Sequence, residues 1–491
     1  MGRDVPAVEF TRDDRRRYRE KVRASLDVFA RMLAESQFDF DRPLSGLEIE
    51  LNLVDAEGEP AMRNAEVLQA IADEQWATEI GQFNLEINLP PRRIGAEGPG
   101  ALEKEIRDAL NHADEKARTV GARLALIGIL PTLRESHVHI DALSANDRYR
   151  LLNEQIFALR GEDLPIRIDG IERLDTYADS VAPEGACTSV QLHLQVSPVT
   201  FAQTWNAAQA IAGVQVAIGA NSPYLFGKHL WAETRIPMFE QATDTRSAEL
   251  KAQGVRPRVW FGERWINSVF DLFEENSRYF PALLPLCDDE DPVAILGGGG
   301  APKLAELTLH NGTVWRWNRP VYAVVEGRPH LRVENRVLPG GPTVVDIAAN
   351  MAFYYGLVRA LVDSERPVWS QMSFAAAAEN FHAGARDGIE ARLYWPGAGE
   401  VPAAELVLRR LLPLASKGLD AYGVSASERD RLLKVIEGRC LTGQNGSTWQ
   451  VATVQRLEGA GYDRNEALRR MTLRYLELMH SNEPAHTWDL A

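Results

Sequence analysis

Four short stretches of this chain alternate apolar and polar residues with a period of two. In Leu47–Leu53 the apolar side chains leave Glu48, Glu50 and Asn52 on the other face. In Phe83–Leu89 the polar face is Asn84, Glu86 and Asn88. In Ser189–Ser197 it is Ser189, Gln191, His193, Gln195 and Ser197, and in Leu331–Val337 it is Arg332, Glu334 and Arg336. Such alternation predicts strands of a mainly antiparallel sheet with one dry face. A single strand of this kind reads most simply as a solvated face. The four together do not, because they carry acids, amides, an imidazole and arginines but no lysine.

Residues i and i+2 of a strand lie about 6.6 Å apart. Two carboxylates at that spacing repel by roughly 2.5 kcal/mol at an effective dielectric of 20. Glu86 and Glu334 would add to that repulsion, and bound cations would remove it. Oxygen ligands with one imidazole suit Mg²⁺ or Mn²⁺ better than a zinc cage. Arg332 and Arg336, flanking Glu334, add donors for phosphate or carboxylate. Acid-bound divalent ions beside arginines describe a nucleoside-triphosphate site that works by charge neutralisation. Glu79, seven residues before Glu86 across the Gly81–Gln82 turn, is within reach of the same ion.

The rest of the chain reads as helices around this sheet. Thr11–Glu35 has a helical stripe with Thr11 as cap, and further helices are predicted at Ala101–Val120 and Thr204–Ile218. After Pro342 the pattern stays helical: a run capped by Asp346, then Ala403–Leu412 stopped by Pro413, Ser425–Glu437 and Asn465–His480. The expected organisation is an N-terminal helix (1–40), an α+β core (41–345) and a helical C-terminal part (346–491). With 491 residues, 45% of them hydrophobic, the chain buries a large core without staples. Its net charge of −15, with no basic run beyond Arg15–Arg17, disfavours nucleic acid and anionic membranes. Cys187, Cys287 and Cys440 form no CxxC pair and fit a reducing compartment. Met1–Phe10 has no apolar leader pattern, and no stretch reaches 18 apolar residues, so the cytoplasm is the default location. Oligomeric state stays open, a homo-oligomer included.

Other motifs were weighed against plainer readings. Gly297–Gly300 lacks the Gly-Lys-Ser/Thr ending of a P-loop and reads as a linker or lid. There is no G-x-G-x-x-G fingerprint and no G-x-S-x-G elbow. Trp231–Arg246 reads as a charged loop, or as substrate contacts from Arg235. In His310–Pro320, Asn311–Gly312 predicts a hairpin turn, and Trp315 and Trp317 form either a pocket wall or core. Ala220–Pro223 reads as a turn, and Thr442–Gln450 as a polar turn that either caps structure or closes over a ligand. Cys187 reads as a small packing residue rather than a nucleophile.

Taken in order, Gly46-Leu-Glu-Ile-Glu-Leu-Asn-Leu-Val, Asn84-Leu-Glu-Ile-Asn, Thr188-Ser-Val-Gln-Leu-His, Ala220-Asn-Ser-Pro and Arg332-Val-Glu-Asn-Arg resemble the glutamate–cysteine ligase family of the bacterial and plant type, which also holds carboxylate–amine ligases of other substrates. The resemblance spans about Gly46–Gly356, with Thr442–Gln450 as a further match. It implies a glutamine-synthetase-like domain, a curved antiparallel sheet forming a funnel with flanking helices. It implies one Mg²⁺ or Mn²⁺ held by Glu50, Glu79 and Glu86, and a second, orienting the ATP phosphates, held by Glu48, His193 and Glu334. Arg332 and Arg336 would neutralise the transferred phosphate. Arg235 and Arg316 would grip the amino-acid carboxylate, with Asn221 also at the substrate. The implied reaction makes γ-glutamylcysteine from ATP, glutamate and cysteine. The alternatives are another amine, a phosphotransferase, or a non-catalytic nucleotide-binding regulator on the same scaffold.

Overall fold

The computed structural model describes residues 10–490 apart from 36, 37, 39, 41, 42, 96 and 97. The reading of the first residues as lacking a leader, and the boundary at 40/41, fall largely outside that set. One seven-stranded sheet organises the molecule. Its strands are β1 (Leu44–Val54), β2 (Trp76–Thr78), β3 (Asn84–Arg93), β4 (Arg123–Ala125), β5 (Ser189–Val196), β6 (Asn318–Val325) and β7 (Arg328–Pro339). They run in the order β6-β7-β5-β1-β3-β2, with β4 pairing the end of β1, and every pairing is antiparallel. The sheet curls into an antiparallel half-barrel.

Register carries the polar residues onto one face. Glu50 lies opposite Glu86, Glu48 opposite Asn88 and Gln191, and His193 opposite Glu334. The β5–β7 register shifts between Asn335 and Leu338, so Leu338 pairs with Val190 and joins the apolar face. This bulge ends the polar row at Arg336 and turns the strand's last residues toward the core. At the other end, Asn84 Nδ2 donates to Asn52 Oδ1 at 3.0 Å and Asn52 Nδ2 donates to the Ile127 carbonyl at 3.1 Å. These two amides are buried cross-links that close this end of the face, with Asn84 Oδ1 left without a partner among the described residues.

The larger helices include α1 (Arg12–Ala34), α2 (Gly98–Thr119), α3 (Phe201–Gly219), α4 (Val344–Val362), α5 (Phe374–Asp387), α6 (Leu412–Ala421), α7 (Ala426–Thr442), α8 (Gly446–Gly459) and α9 (Arg464–Ser481), of which α2 and α3 pack directly on the sheet and the rest mainly on other helices. α3 packs on β7, and α4 packs on α3, α6 and α7. These crossings need small residues. A Cβ on Gly418 would sit 1.8 Å from the Gly356 carbonyl oxygen, and one on Gly384 would sit 2.3 Å from that of Gly213. α4 is long and apolar enough to cross a membrane, yet 94% of its most apolar stretch is buried inside the fold. One hydrophobic cluster joins residues from Tyr18 to Trp488.

Several local expectations change. Asn311 ends a helix, Ala305–Asn311, and Gly312 caps it at φ −66°, so no hairpin forms there. The hairpin joining β6 to β7 instead turns at Glu326 (φ 50°) and Gly327 (φ 76°), both in the left-handed region that tight two-residue turns require. Thr343 caps α4 by accepting from the Asp346 N–H, and Asp346 is pulled inside. Pro413 does not stop its helix. A π-helical turn at Val407–Leu411 precedes it, and α6 carries the proline in its first turn, where a missing N–H is harmless. Gly297–Gly300 closes a short helix, Pro292–Gly297.

His310 tests the packing. Its Nε2 lies 2.9 Å from the Asn276 carbonyl oxygen, its Nδ1 has no partner, and burial, opposed only by that hydrogen bond, lowers its pKa from 6.5 to about 4. The unfolded imidazole protonates first, so this contribution is complete above pH 6.5 and is lost as pH falls toward 4. Over that window it amounts to about 3 kcal/mol. A His310→Leu variant is expected to lose stability less steeply than its parent between pH 6.5 and 4 in urea titrations. Parallel pH curves would assign the acid sensitivity elsewhere.

Candidate active site

The four strands bring their polar residues to one place. Oxygens of Glu50, Glu79 and Glu86 lie within 4.8 Å of one another. Glu79 arrives from the loop after β2, the other two from facing positions on β1 and β3. Burial, reinforced by Glu86 and Glu50, pushes the Glu79 carboxyl well above its ordinary range. Burial, then Glu48 and Glu50, lifts Glu86 to about 7. Burial also raises Glu50, against the charge of Arg336. Glu50 is held rigidly: Oε2 accepts from the Ser189 N–H at 2.6 Å and from Ser189 Oγ at 3.0 Å, and Oε1 accepts from Gln191 Nε2 at 2.7 Å. Three carboxyls this close, one of them held by three hydrogen bonds, form a donor set that fits a hard divalent cation.

A second group lies beside it on β1, β5 and β7. His193 Nε2 is 3.0 Å from Glu48 Oε1, and its hydrogen bond and charge both act on that carboxylate. His193 Nδ1 accepts from Arg332 Nε at 3.0 Å, which fixes the ring. Burial opposes ionisation of Glu48, and His193 more than offsets it, so the carboxyl is lowered. Glu334 accepts from Arg336 at 2.6 Å and from Arg319 at 2.8 Å. Burial is outweighed by those two guanidiniums and His193, and Glu334 stays ionised well below its usual range. Each of its oxygens keeps a second lone pair. Two ionised carboxylates, Glu48 and Glu334, on either side of one imidazole form a donor set that again fits a divalent cation.

Arg319 was not singled out from the sequence. It sits on β6 directly opposite Glu334, so its place follows from register. Arg336 also donates to Gln191 Oε1 at 2.7 Å, and its buried Nε has no partner. Next to Arg336 is a small cavity lined by Glu50, Glu184, Cys187, Ser189, Arg235, Phe239, Trp317 and Arg336. Trp231–Arg246 is not simply a loop: Arg235 opens a helix, Arg235–Ala242. Arg235 donates to Glu233 Oε1 at 3.2 Å and to the carbonyls of Arg336 and Val337 at 3.4 and 2.6 Å, 5.8 Å above the Trp317 ring. Trp317 is thus a cavity wall as well as core.

Two other residues are committed elsewhere. Arg316 donates to Glu275 Oε2 at 2.6 Å and to Asn276 Oδ1 at 2.9 Å, with its guanidinium over Trp260, and it contacts none of the strand-face acids. Asn221 donates to the Gly340 carbonyl at 2.7 Å and Tyr475 Oη at 2.8 Å, and accepts from Gln450 Nε2 at 2.9 Å. Asn221 and the Gly446–Gln450 segment therefore meet in a buried contact. A Cβ on Gly446 would lie 2.0 Å from Asn221 Oδ1.

The glutamate-cysteine ligase family 2 model matches residues 44–472. The chain belongs to that family. Its members are ATP-dependent carboxylate–amine ligases, and this chain is an ATP-dependent ligase. Among solved structures, it is similar to the glutamate–cysteine ligase of Francisella tularensis in complex with AMP, at 11% identity and a TM-score of 0.57, covering 93% of this chain and 91% of that one. A bifunctional glutathione synthetase from Pasteurella multocida aligns at 12% identity and a TM-score of 0.46, over 93% of this chain and 55% of that one. At 11% identity the first of these likenesses speaks to fold alone. No curated protein sequence matches the chain.

Proposed function

We propose that this family member joins glutamate, through its γ-carboxylate, to an amine, with cysteine as the leading acceptor. The observation that carries this reading is the single face on which Glu48, Glu50, Glu79, Glu86, His193 and Glu334 meet Arg332 and Arg336. Glu50, Glu79 and Glu86 would hold one Mg²⁺ or Mn²⁺, and Glu48, His193 and Glu334 a second. When bound, such ions supply positive charge that lets two anions approach.

A carboxylate is a poor electrophile until phosphorylated. Arg332 and Arg336 are placed to donate to the phosphoryl oxygens as the γ-phosphoryl group of ATP passes to the carboxylate. Glu334 keeps Arg319 and Arg336 aimed, so the donors need little reorganisation. Arg336 links this face to the cavity where Arg235 can receive the amino acid's α-carboxylate. Trp317 and Phe239 shield the acyl phosphate from water there, until the amine attacks the carbonyl and phosphate leaves. Three free cysteines suit a reducing compartment such as the cytoplasm.

The test is incubation with ATP, Mg²⁺, glutamate and a panel of amines including cysteine, with products followed by mass. A γ-glutamylcysteine peak with one phosphate released per amide is expected. A different amide would replace cysteine as acceptor, and ADP with no amide and no phosphate would replace the ligase step with a kinase.

A further inference from the structure

The cavity beside Arg336 is lined by two carboxyls, Glu50 and Glu184, and two guanidiniums, Arg235 and Arg336, but their hydrogen-bonding capacity is unevenly used. Glu50 already accepts three hydrogen bonds, from Ser189 and Gln191. Arg235 spends three of its five N–H groups on Glu233 and the carbonyls of Arg336 and Val337, leaving two. Glu184 lines the same cavity with no hydrogen bond or ion pair to its carboxyl found among the described residues, and burial, then Glu50, raises that carboxyl to about 8 against the charge of Arg336. It also stands outside the carboxylate triad of Glu50, Glu79 and Glu86.

Its position is fixed by close packing. Glu184 belongs to a short 3₁₀ turn, Ala182–Ala186, held by the Cys187 N–H donating to the Glu184 carbonyl at 2.9 Å. A Cβ on the next residue, Gly185, would lie 3.0 Å from Ile80 Cγ2 and 3.2 Å from the Gly81 nitrogen. The turn is thus wedged against the loop that carries Glu79. An enclosed acid without a partner is costly, and a ligand cation relieves that cost. A spare guanidinium edge and a spare carboxylate in one aromatic-walled cavity match the two charges of an α-amino acid.

We propose that Glu184 receives the α-ammonium group of the amino-acid substrate, in the cavity where Arg235 receives its α-carboxylate. This rests on the reading of glutamate as the activated acid. It makes Glu184 a specificity residue that separates glutamate from dicarboxylates lacking the amine.

The experiment compares Glu184→Gln with the parent in glutamate-dependent ADP formation, using glutarate as a competitive inhibitor. The KM for glutamate is expected to rise on the order of 10–100-fold. The KM for ATP, the Mg²⁺ dependence and the inhibition constant of glutarate are expected to stay within about threefold, and Glu184→Asp to restore part of the glutamate affinity. Equal weakening of glutamate and glutarate would overturn the proposal, making Glu184 a shaping residue. A shifted Mg²⁺ requirement would overturn it by making Glu184 a metal ligand. A parent enzyme idle with glutamate would remove the substrate reading and this inference with it. An active parent with an unchanged Glu184→Gln variant would remove this inference alone.

Discussion

Glu86→Ala is expected to lower ADP formation by about a thousandfold while raising the melting temperature of the protein in EDTA. The two effects share one cause. Glu86 faces Glu50 across the β1–β3 ladder, and its carboxyl is within 4.8 Å of those of Glu50 and Glu79. Two carboxylates within 4.8 Å repel by roughly 3.5 kcal/mol at an effective dielectric of 20, and this repulsion adds to burial in pushing Glu86 up to about 7 and Glu79 well above its ordinary range. Removing one relieves that repulsion. Among the described residues the hydrogen bonds lost are the one Asn88 Nδ2 donates at 2.6 Å, on a side chain that also meets solvent, and the one shared with the Glu79 carboxyl. The same acid is needed to hold charge against the phosphates, and losses of 10²–10³-fold are usual when one stabilising group leaves such a site. Differential scanning calorimetry with and without Mg²⁺ reads the first effect and a coupled ADP assay the second. Turnover near that of the parent would sink the cation-site reading. A lower melting temperature in EDTA would show that Glu86 is chiefly structural.

Asp346→Ala is expected to destabilise the protein by about 3–5 kcal/mol, the usual consequence of stranding one member of a buried ion pair. Arg439 donates to Asp346 Oδ1 at 2.7 Å and to Asn350 Oδ1 at 2.6 Å, and is itself almost fully buried. The other Asp346 oxygen accepts from Thr343 Oγ1 at 2.7 Å and from the Ala485 N–H at 3.0 Å. One carboxylate thus joins the start of α4, the last turn of α7 and the 3₁₀ turn at Ala485–Thr487. Urea unfolding of parent and variant checks the value. A loss below about 1 kcal/mol would mean that Arg439 finds another partner or water, and that this network is not what ties the C-terminal helices together.

The strand faces were legible because alternation is local. Glu48 and Glu50 share a face through backbone geometry alone, and so do Arg332 and Glu334. The misreadings were also local. Asn-Gly between apolar runs signals a hairpin, but at Asn311–Gly312 the preceding Ala305–Asn311 segment packs as helix, and the turn simply ends it. Pro413 normally stops a helix, but a π-helical turn ahead of it changed which N–H was needed.

What the sequence determined by itself was the chemical character of one sheet face: acids at alternate positions, one imidazole, and arginines flanking a glutamate. Which residues meet was decided only by tertiary structure. Arg319 pairs with Glu334 because a hairpin at Glu326–Gly327 sets the β6–β7 register. Glu184 reaches the Arg235 cavity because a 3₁₀ turn packs against the Glu79 loop. Asn221 meets Gln450 because α8 folds back across 229 residues of chain. Alternation depends on neighbours two residues apart. These encounters depend on strand register and helix packing, which one stretch of sequence does not encode.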